Sequence, residues 1–422
     1  MLVLIRGAKV SDPASEFHGK VTDILLEDGI IKTVKGSIKT KADTVIEAAG
    51  LNVSPGWVDV LADYSEPGYE HKETIASGLN AAAAGGFTDV LLSPNTNPVT
   101  GSKSTVQYLL QKAKGHIVNL HPLGVVSTNA EGKTLAEMLD MHSNGALAFT
   151  DGWKPIQSAG LMLKALEYVR AFNGVVLQLP VDVSLAEGGQ MHEGPVSTKL
   201  GMAGIPVMAE SLVIHRDIEL LRYTGSRLHI TGVSTAEGLA LIRQAKGEGL
   251  DISCSVTPYH LALTDESLNT YSSLYKVSPP LRPEADRQAL IAGLNDGTID
   301  CIASHHRPQD WDAKEKEFEY ASNGMNLQEI SFQVTWNAVA KEVALDKLVA
   351  ALSSNPRRIF GLPGGNIKEG GQAALTVFSA DASFSLQEDK IRSASRNNPF
   401  TGKELKGNVV GVINKGNVHL NK

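Results

Sequence analysis

Cysteine is almost absent. The 422 residues hold only Cys254 and Cys301, both inside apolar strand-like runs, ISCSV and IDCIA. That excludes a disulfide framework and reads as buried free thiols in a reducing compartment. Also missing is any apolar run of transmembrane length. The N-terminal MLVLIRGAKVSD meets Arg6 at once and lacks the flanks of a signal peptide. A soluble, cytoplasmic protein is the expectation. There is no strong excess of one charge either: the net charge is −7, with acids and bases interspersed. Neither nucleic acid nor an anionic membrane surface is expected as a partner. Low complexity is absent too, because the 40 glycines are dispersed at turns.

What is present suffices for a large core: 42% of the residues are hydrophobic, compatible with one barrel-sized domain plus a smaller module. The first fifty residues read as short strands, with Asp28-Gly29 as a hairpin signal inside DILLEDGIIKTV. The tail, from IKEGGQAALTVFS to GKELKGNVVGVINKGNVH, has the same texture. Residues 1–54 and 357–422 are therefore expected to build one small β-sandwich module around a middle spanning 55–356.

That middle alternates. Short β-rich runs (GWVDVLAD, FTDVLLSPN, IVNLHPLGVVS, ALAFTD, GVVLQLPVD, RLHITGVS, DISCSVTPYH, IDCIASHH) are separated by stretches with apolar residues at helical spacing. Eight such alternations predict an α/β fold, a (β/α)8 barrel with buried parallel strands. Chemistry in this architecture sits at the carboxyl ends of the strands. In order, those ends offer Leu61 and Asp63, Asn95, Ser127-Thr128, Asp151, Leu179 to Asp182, Gly232, Tyr259-His260, and His305-His306. A hydrolytic metal site needs several imidazoles and carboxylates converging on one point. Side chains at i and i+2 of a strand share a face. Here those two positions of the first strand carry one aliphatic side chain and one carboxylate. Leu61, Leu179 and Gly232 have no side-chain ligand atom to give.

The chain resembles the bacterial dihydroorotases of the amidohydrolase superfamily, nearly end to end. The stretches that carry the resemblance include GGFTDVLLSPNTNPV, DGWKPIQSAGLMLKALEY, HEGPVSTKLGMAGIP, VTPYHLALTDE, KVSPPLR, GTIDCIASHH and SSNPRRIFGL. The resemblance implies that the two strand-one metal histidines fall on Leu61 and Asp63. The arginine that clasps substrate carboxylate falls on Ser65. Asn95 is retained as a substrate-contacting asparagine and Asp151 as a metal-bridging aspartate. Two further metal histidines become Leu179 and Gly232, although Asp182 and His260 of the surrounding motifs remain. Tyr259, Ser278 and Gln309 replace other motif residues, and the catalytic aspartate becomes His305.

Active members of the family use zinc; for this chain no cofactor and no catalytic residue is expected. Asp63, Asn95, Asp151, His260 and His305 are expected to line a vestigial pocket. The leading expectation is a non-catalytic, homodimeric subunit that supports assembly of aspartate carbamoyltransferase. The alternative is an active cyclic-amide hydrolase with a reconfigured site, in which Asp63, Asp151 and His305 hold zinc or manganese. His71 is expected at the surface, and His121 and His229 as satisfied core histidines. His306 is expected to pack away from His305, and Ala81–Gly86 to form the close-packed end of a barrel helix.

Overall fold

A computed structural model describes residues 1–421. Eight parallel strands form the central sheet: Trp57–Ala62, Phe87–Leu92, Asn119–Gly124, Ala148–Phe149, Val176–Gln178, Leu228–Thr231, Ile252–Val256 and Cys301–Ile302, each hydrogen-bonded to the next. They coincide with the eight runs read from the sequence. Covered on both faces, they are buried along their whole length: in Phe87–Leu92 every residue is buried, the polar Thr88 and Asp89 included. The first and eighth strands meet through a parallel bridge between Ala62 and His306, and the Asp63 amide donates to the His306 carbonyl at 2.8 Å.

A side chain reinforces that closure. Asp59, fully buried, accepts from the Ser304 amide (2.9 Å), the Ser304 hydroxyl (2.5 Å) and Gln328 Nε2 (2.7 Å). Burial pushes its pKa up, and these hydrogen bonds oppose that. The helices start at side-chain caps, with Thr74 before Ile75–Ala84, Ser158 before Ala159–Arg170 and Thr235 before Ala236–Gly247. The AAAAGG stretch closes the first of these helices, and a Cβ on Gly85 would lie 2.2 Å from the Gln328 carbonyl oxygen. Only glycine lets the two segments approach so closely.

Strands from both termini hydrogen-bond into a second eight-stranded sheet, in which Leu375–Ser385 pairs with Leu51–Pro55. Its buried face gathers Val3, Ile5, Ile24, Val53, Val377 and Ile413. The Asp28-Gly29 turn has positive φ at both residues, as a tight hairpin requires. Trp57 joins the two layers, with its ring centroid 5.0 Å from Phe332 and 5.2 Å from Phe378. Its Nε1 donates to Ser54.

Among the described residues no helix is long and apolar enough to cross a membrane. His71 is exposed, and His229 is buried between Ser253 and Ser255. His121 differs from the expectation. It stands half-buried beside Asp89 (2.9 Å), at the end of the barrel opposite the strand carboxyl ends, and borders a cavity of about 530 Å³. The strand run places it, but it lies too near the strand start to be enclosed.

Candidate functional site

At the end of the first strand, Leu61 is buried among Val58, Leu91, Leu123 and Leu177 and belongs to the barrel's apolar interior. Asp63 does not face an open coordination position. Its Oδ1 accepts from the Ser65 amide (2.8 Å) and hydroxyl (3.3 Å), and its Oδ2 accepts from Trp153 Nε1 (2.9 Å). Ser65 reaches back because its backbone is left-handed, with φ +59°. Ser65 thus turns inward onto the neighbouring carboxylate.

Asp151 is equally engaged. It accepts from the amides of Val126 and Ser127, both at 2.9 Å, and from the Ser127 hydroxyl, pinning the end of the third strand. Burial raises its pKa, and these bonds pull the other way. Asn95 donates to the Asp151 carbonyl (2.9 Å) and accepts from the Trp153 amide (2.8 Å), which orients the loop that carries the tryptophan.

The sixth and eighth strand ends are fitted to one another. Gly232 has φ +73°, and a Cβ there would lie 2.5 Å from His305 Cε1. The imidazole of His305 fills the space that a side chain at 232 would need. His305 Nε2 lies 2.8 Å from the Thr231 hydroxyl, while Nδ1 is buried without a hydrogen-bond partner among the described residues. Burial, with the charge of Arg307 nearby, pushes its pKa down to about 3, so the ring is neutral at ordinary pH. His260 is also neutral, its pKa lowered by burial to about 3. Its Nδ1 meets the Thr257 hydroxyl (2.9 Å) and its Nε2 the Pro280 carbonyl (3.2 Å), so Nε2 carries the proton and neither nitrogen is free.

Leu179 and Tyr259 are buried, Asp182 caps Ser184 and Leu185, and Ser278 is partly exposed. His306 turns away from His305 to a buried carboxylate, Glu73, at 3.3 Å.

A catalytic zinc requires three protein ligands and an open position. Leu61, Leu179 and Gly232 supply no ligand atom, and Asp63, Asp151 and His260 are held by other hydrogen bonds. Among the described residues no three His, Cys, Asp or Glu side chains converge where they could hold a metal ion. The residues present do not fit zinc.

Of the five residues expected to share a pocket, the structure puts Asp63 and Asn95 on the wall of a cavity of about 210 Å³. Asp151, His260 and His305 do not line it, because each is buried in its own local network. The cavity instead includes Lys72, Trp153, Lys154 and Arg307, which sequence reasoning passed over. One signal was available: in SHHRPQD a guanidinium directly follows a strand end.

Comparisons with known proteins agree with this architecture. A family model described as "Dihydro-orotase-like" matches residues 50–238. Over 422 residues the chain is 39% identical to a protein named dihydroorotase from Syntrophus aciditrophicus, covering 99% of each. It is 40% identical over 427 residues to another of that name from Syntrophobacter fumaroxidans, covering 99% of this chain and 97% of the relative. Among solved structures, L-hydantoinase (dihydropyrimidinase) from Arthrobacter aurescens superposes with a TM-score of 0.87 at 25% identity, over 100% of this chain and 96% of that one. A D-hydantoinase gives a TM-score of 0.83 at 21% identity, covering 100% and 95%, which speaks for the fold alone.

Proposed function

The chain belongs to the dihydroorotase family, and from that premise we propose that it is a non-catalytic member, serving pyrimidine synthesis as an assembly subunit. The observation that carries this reading is the fit of His305 over Gly232. The family resemblance makes both of these ligand positions, and the His305 ring fills the space that a side chain at 232 would need. Interconversion of carbamoyl aspartate and dihydroorotate needs an activated water, a polarised carbonyl and a group that moves a proton. A neutral imidazole with one nitrogen at Thr231 and the other enclosed replaces the proton-moving carboxylate. Loss of such a group alone removes about 10²–10⁴ in rate, and loss of the metal removes the nucleophile as well.

What persists is the scaffold: the closed barrel, the capped helices and the two-terminus sheet. A scaffold retained without its ligand set suits a chain selected for its surface, and the partner we propose is aspartate carbamoyltransferase, bound by a homodimer of this chain. Co-expression with that enzyme from the same genome, followed by size-exclusion chromatography, tests the assembly role. A stable complex in which carbamoyltransferase activity depends on this chain is the expected result, and separate elution would remove the partner. A parallel assay of dihydroorotate hydrolysis with added zinc is expected to stay at background. Turnover above background that is absent from a preparation lacking the chain would overturn the non-catalytic reading.

A further inference from the structure

A cavity of about 530 Å³ lies at the amino ends of the barrel strands. It is closed by the turns at 28–30 and 414–416 of the terminal sheet and by the segment 363–364 that follows the last helix. Its size falls within the range of about 300–1,000 Å³ usual for small-molecule sites.

The barrel wall of this cavity is organised around Asp89. The side chain is buried, and its Oδ2 accepts from Arg357 (2.5 Å) and from the Thr88 hydroxyl (2.8 Å). Burial works against its charge, but the His121 hydrogen bond and the Arg357 guanidinium outweigh it, so the group stands as a carboxylate. A carboxylate can only accept. Asn119 Nδ2 and His121 Nε2 therefore both donate to the other oxygen, Oδ1, each at 2.9 Å.

That arrangement fixes what the two side chains show to the cavity they border. Asn119 and His121 stand at i and i+2 of one strand and share a face. With those N–H groups spent on Asp89, the atoms left over are Asn119 Oδ1 and, in the neutral imidazole, the Nδ1 lone pair. Neither bonds to a described residue, and neither is sealed from solvent. Charge narrows the complement further. Lys415 borders the cavity without an ion pair among the described residues, its ammonium donating to the His116 carbonyl at 2.9 Å. A cationic ligand would meet that charge, and an anion would meet two lone pairs. The walls at Ile30, Pro363, Ala373 and Ala374 are apolar.

We propose that this cavity binds an uncharged, amino-substituted heterocycle of the aminopurine or aminopyrimidine class, whose exocyclic NH2 group donates one hydrogen to Asn119 and the other to His121. Two N–H donors on one atom answer two acceptors oriented by one carboxylate oxygen. The ring lies against the apolar walls, and its lack of charge suits both Lys415 and the lone pairs. The inference goes beyond the assembly reading, and binding to the chain alone tests it whatever the partner proves to be.

Titration of the full chain with adenine, followed through the His121 Cε1–H signal by NMR, tests it at about pH 8, where an ordinary imidazole is neutral. A saturable shift is expected with adenine, and none with 6-dimethylaminopurine, which has no amino hydrogens. In isothermal titration, His121→Phe is expected to weaken adenine binding by about fivefold, the loss of one hydrogen bond. Gln372→Trp crowds the same cavity from an exposed position whose side chain makes no hydrogen bond. It is expected to weaken adenine binding with an unchanged melting temperature, which keeps the test valid should His121→Phe fold poorly. Absence of a saturable shift, or wild-type affinity in both variants, would overturn the proposal. Dimethylaminopurine binding as tightly as adenine would overturn the two-donor contact, and benzylammonium doing so would overturn the uncharged class.

Discussion

Gly232→His, which places an imidazole at the end of the sixth barrel strand, is expected to destabilise the protein by about 2–6 kcal/mol rather than to create a metal site. Two effects add. The backbone at 232 is left-handed, with φ +73°, where a non-glycine residue is strained. The new Cβ would stand 2.5 Å from His305 Cε1, and the ring beyond it has no room until His305 moves. His305→Ala in the same chain relieves the second effect and leaves the first. The double variant is therefore expected to recover about 1–3 kcal/mol relative to the sum of the single changes. Urea denaturation of the four proteins measures that coupling. Additive losses would mean that His305 does not occupy the space that a side chain at 232 needs.

The second large effect lies at the opposite end of the barrel. Arg357 donates to Asp89 at 2.5 Å and to the Gly56 carbonyl at 3.0 Å, and both side chains of the pair are nearly inaccessible. Burial would raise the pKa of Asp89, but the His121 hydrogen bond, the Arg357 charge and the Thr88 hydroxyl outweigh it and hold the carboxyl well below its usual range. Arg357→Ala leaves that carboxylate buried without its cation and is expected to cost about 3–5 kcal/mol. The pH dependence follows from the sign of the shift. A depressed carboxyl contributes stability that is fully present above its unfolded value of about 4 and is lost as pH falls through the folded value. The gap between wild type and variant is thus widest near neutral pH and narrows on acidification below about pH 4. Denaturant midpoints across that range check it, with Asp89→Asn in the Arg357→Ala background expected to restore part of the loss.

Much of this architecture is legible in the sequence because buried parallel strands leave a strong signature. FTDVLL and ISCSV are short, mostly apolar runs bounded by turn signals, and the turn chemistry of Asp28-Gly29 announces the hairpin in the terminal sheet. The identities at the strand ends are legible for the same reason: once the strands are located, Leu61, Leu179 and Gly232 stand at three of those ends with no side-chain ligand atom, and the family resemblance implies that these are ligand positions. What each remaining polar group does is not legible. That Asp63 accepts from Ser65 and Trp153 while bordering a cavity depends on a left-handed turn and on a loop ninety residues away. The same holds for Asp151, whose partners Val126 and Ser127 end a neighbouring strand. What Arg307 meets is not legible in SHHRPQD either, because the Trp153 ring beneath its guanidinium comes from a loop far away in the chain. His121 follows the strand pattern and still lies at an open end, since periodicity does not report depth along a barrel.

The claim that joins these observations is that the strand ends no longer hold the family's metal. Its most direct test is the zinc content per chain of protein grown and dialysed with added zinc, measured by plasma mass spectrometry on the full chain. The account predicts a value near zero, unchanged in Asp63→Ala, Asp151→Ala and His305→Ala. About one tightly held ion per chain, as a structural or catalytic site would retain, and lost in those variants, would contradict it.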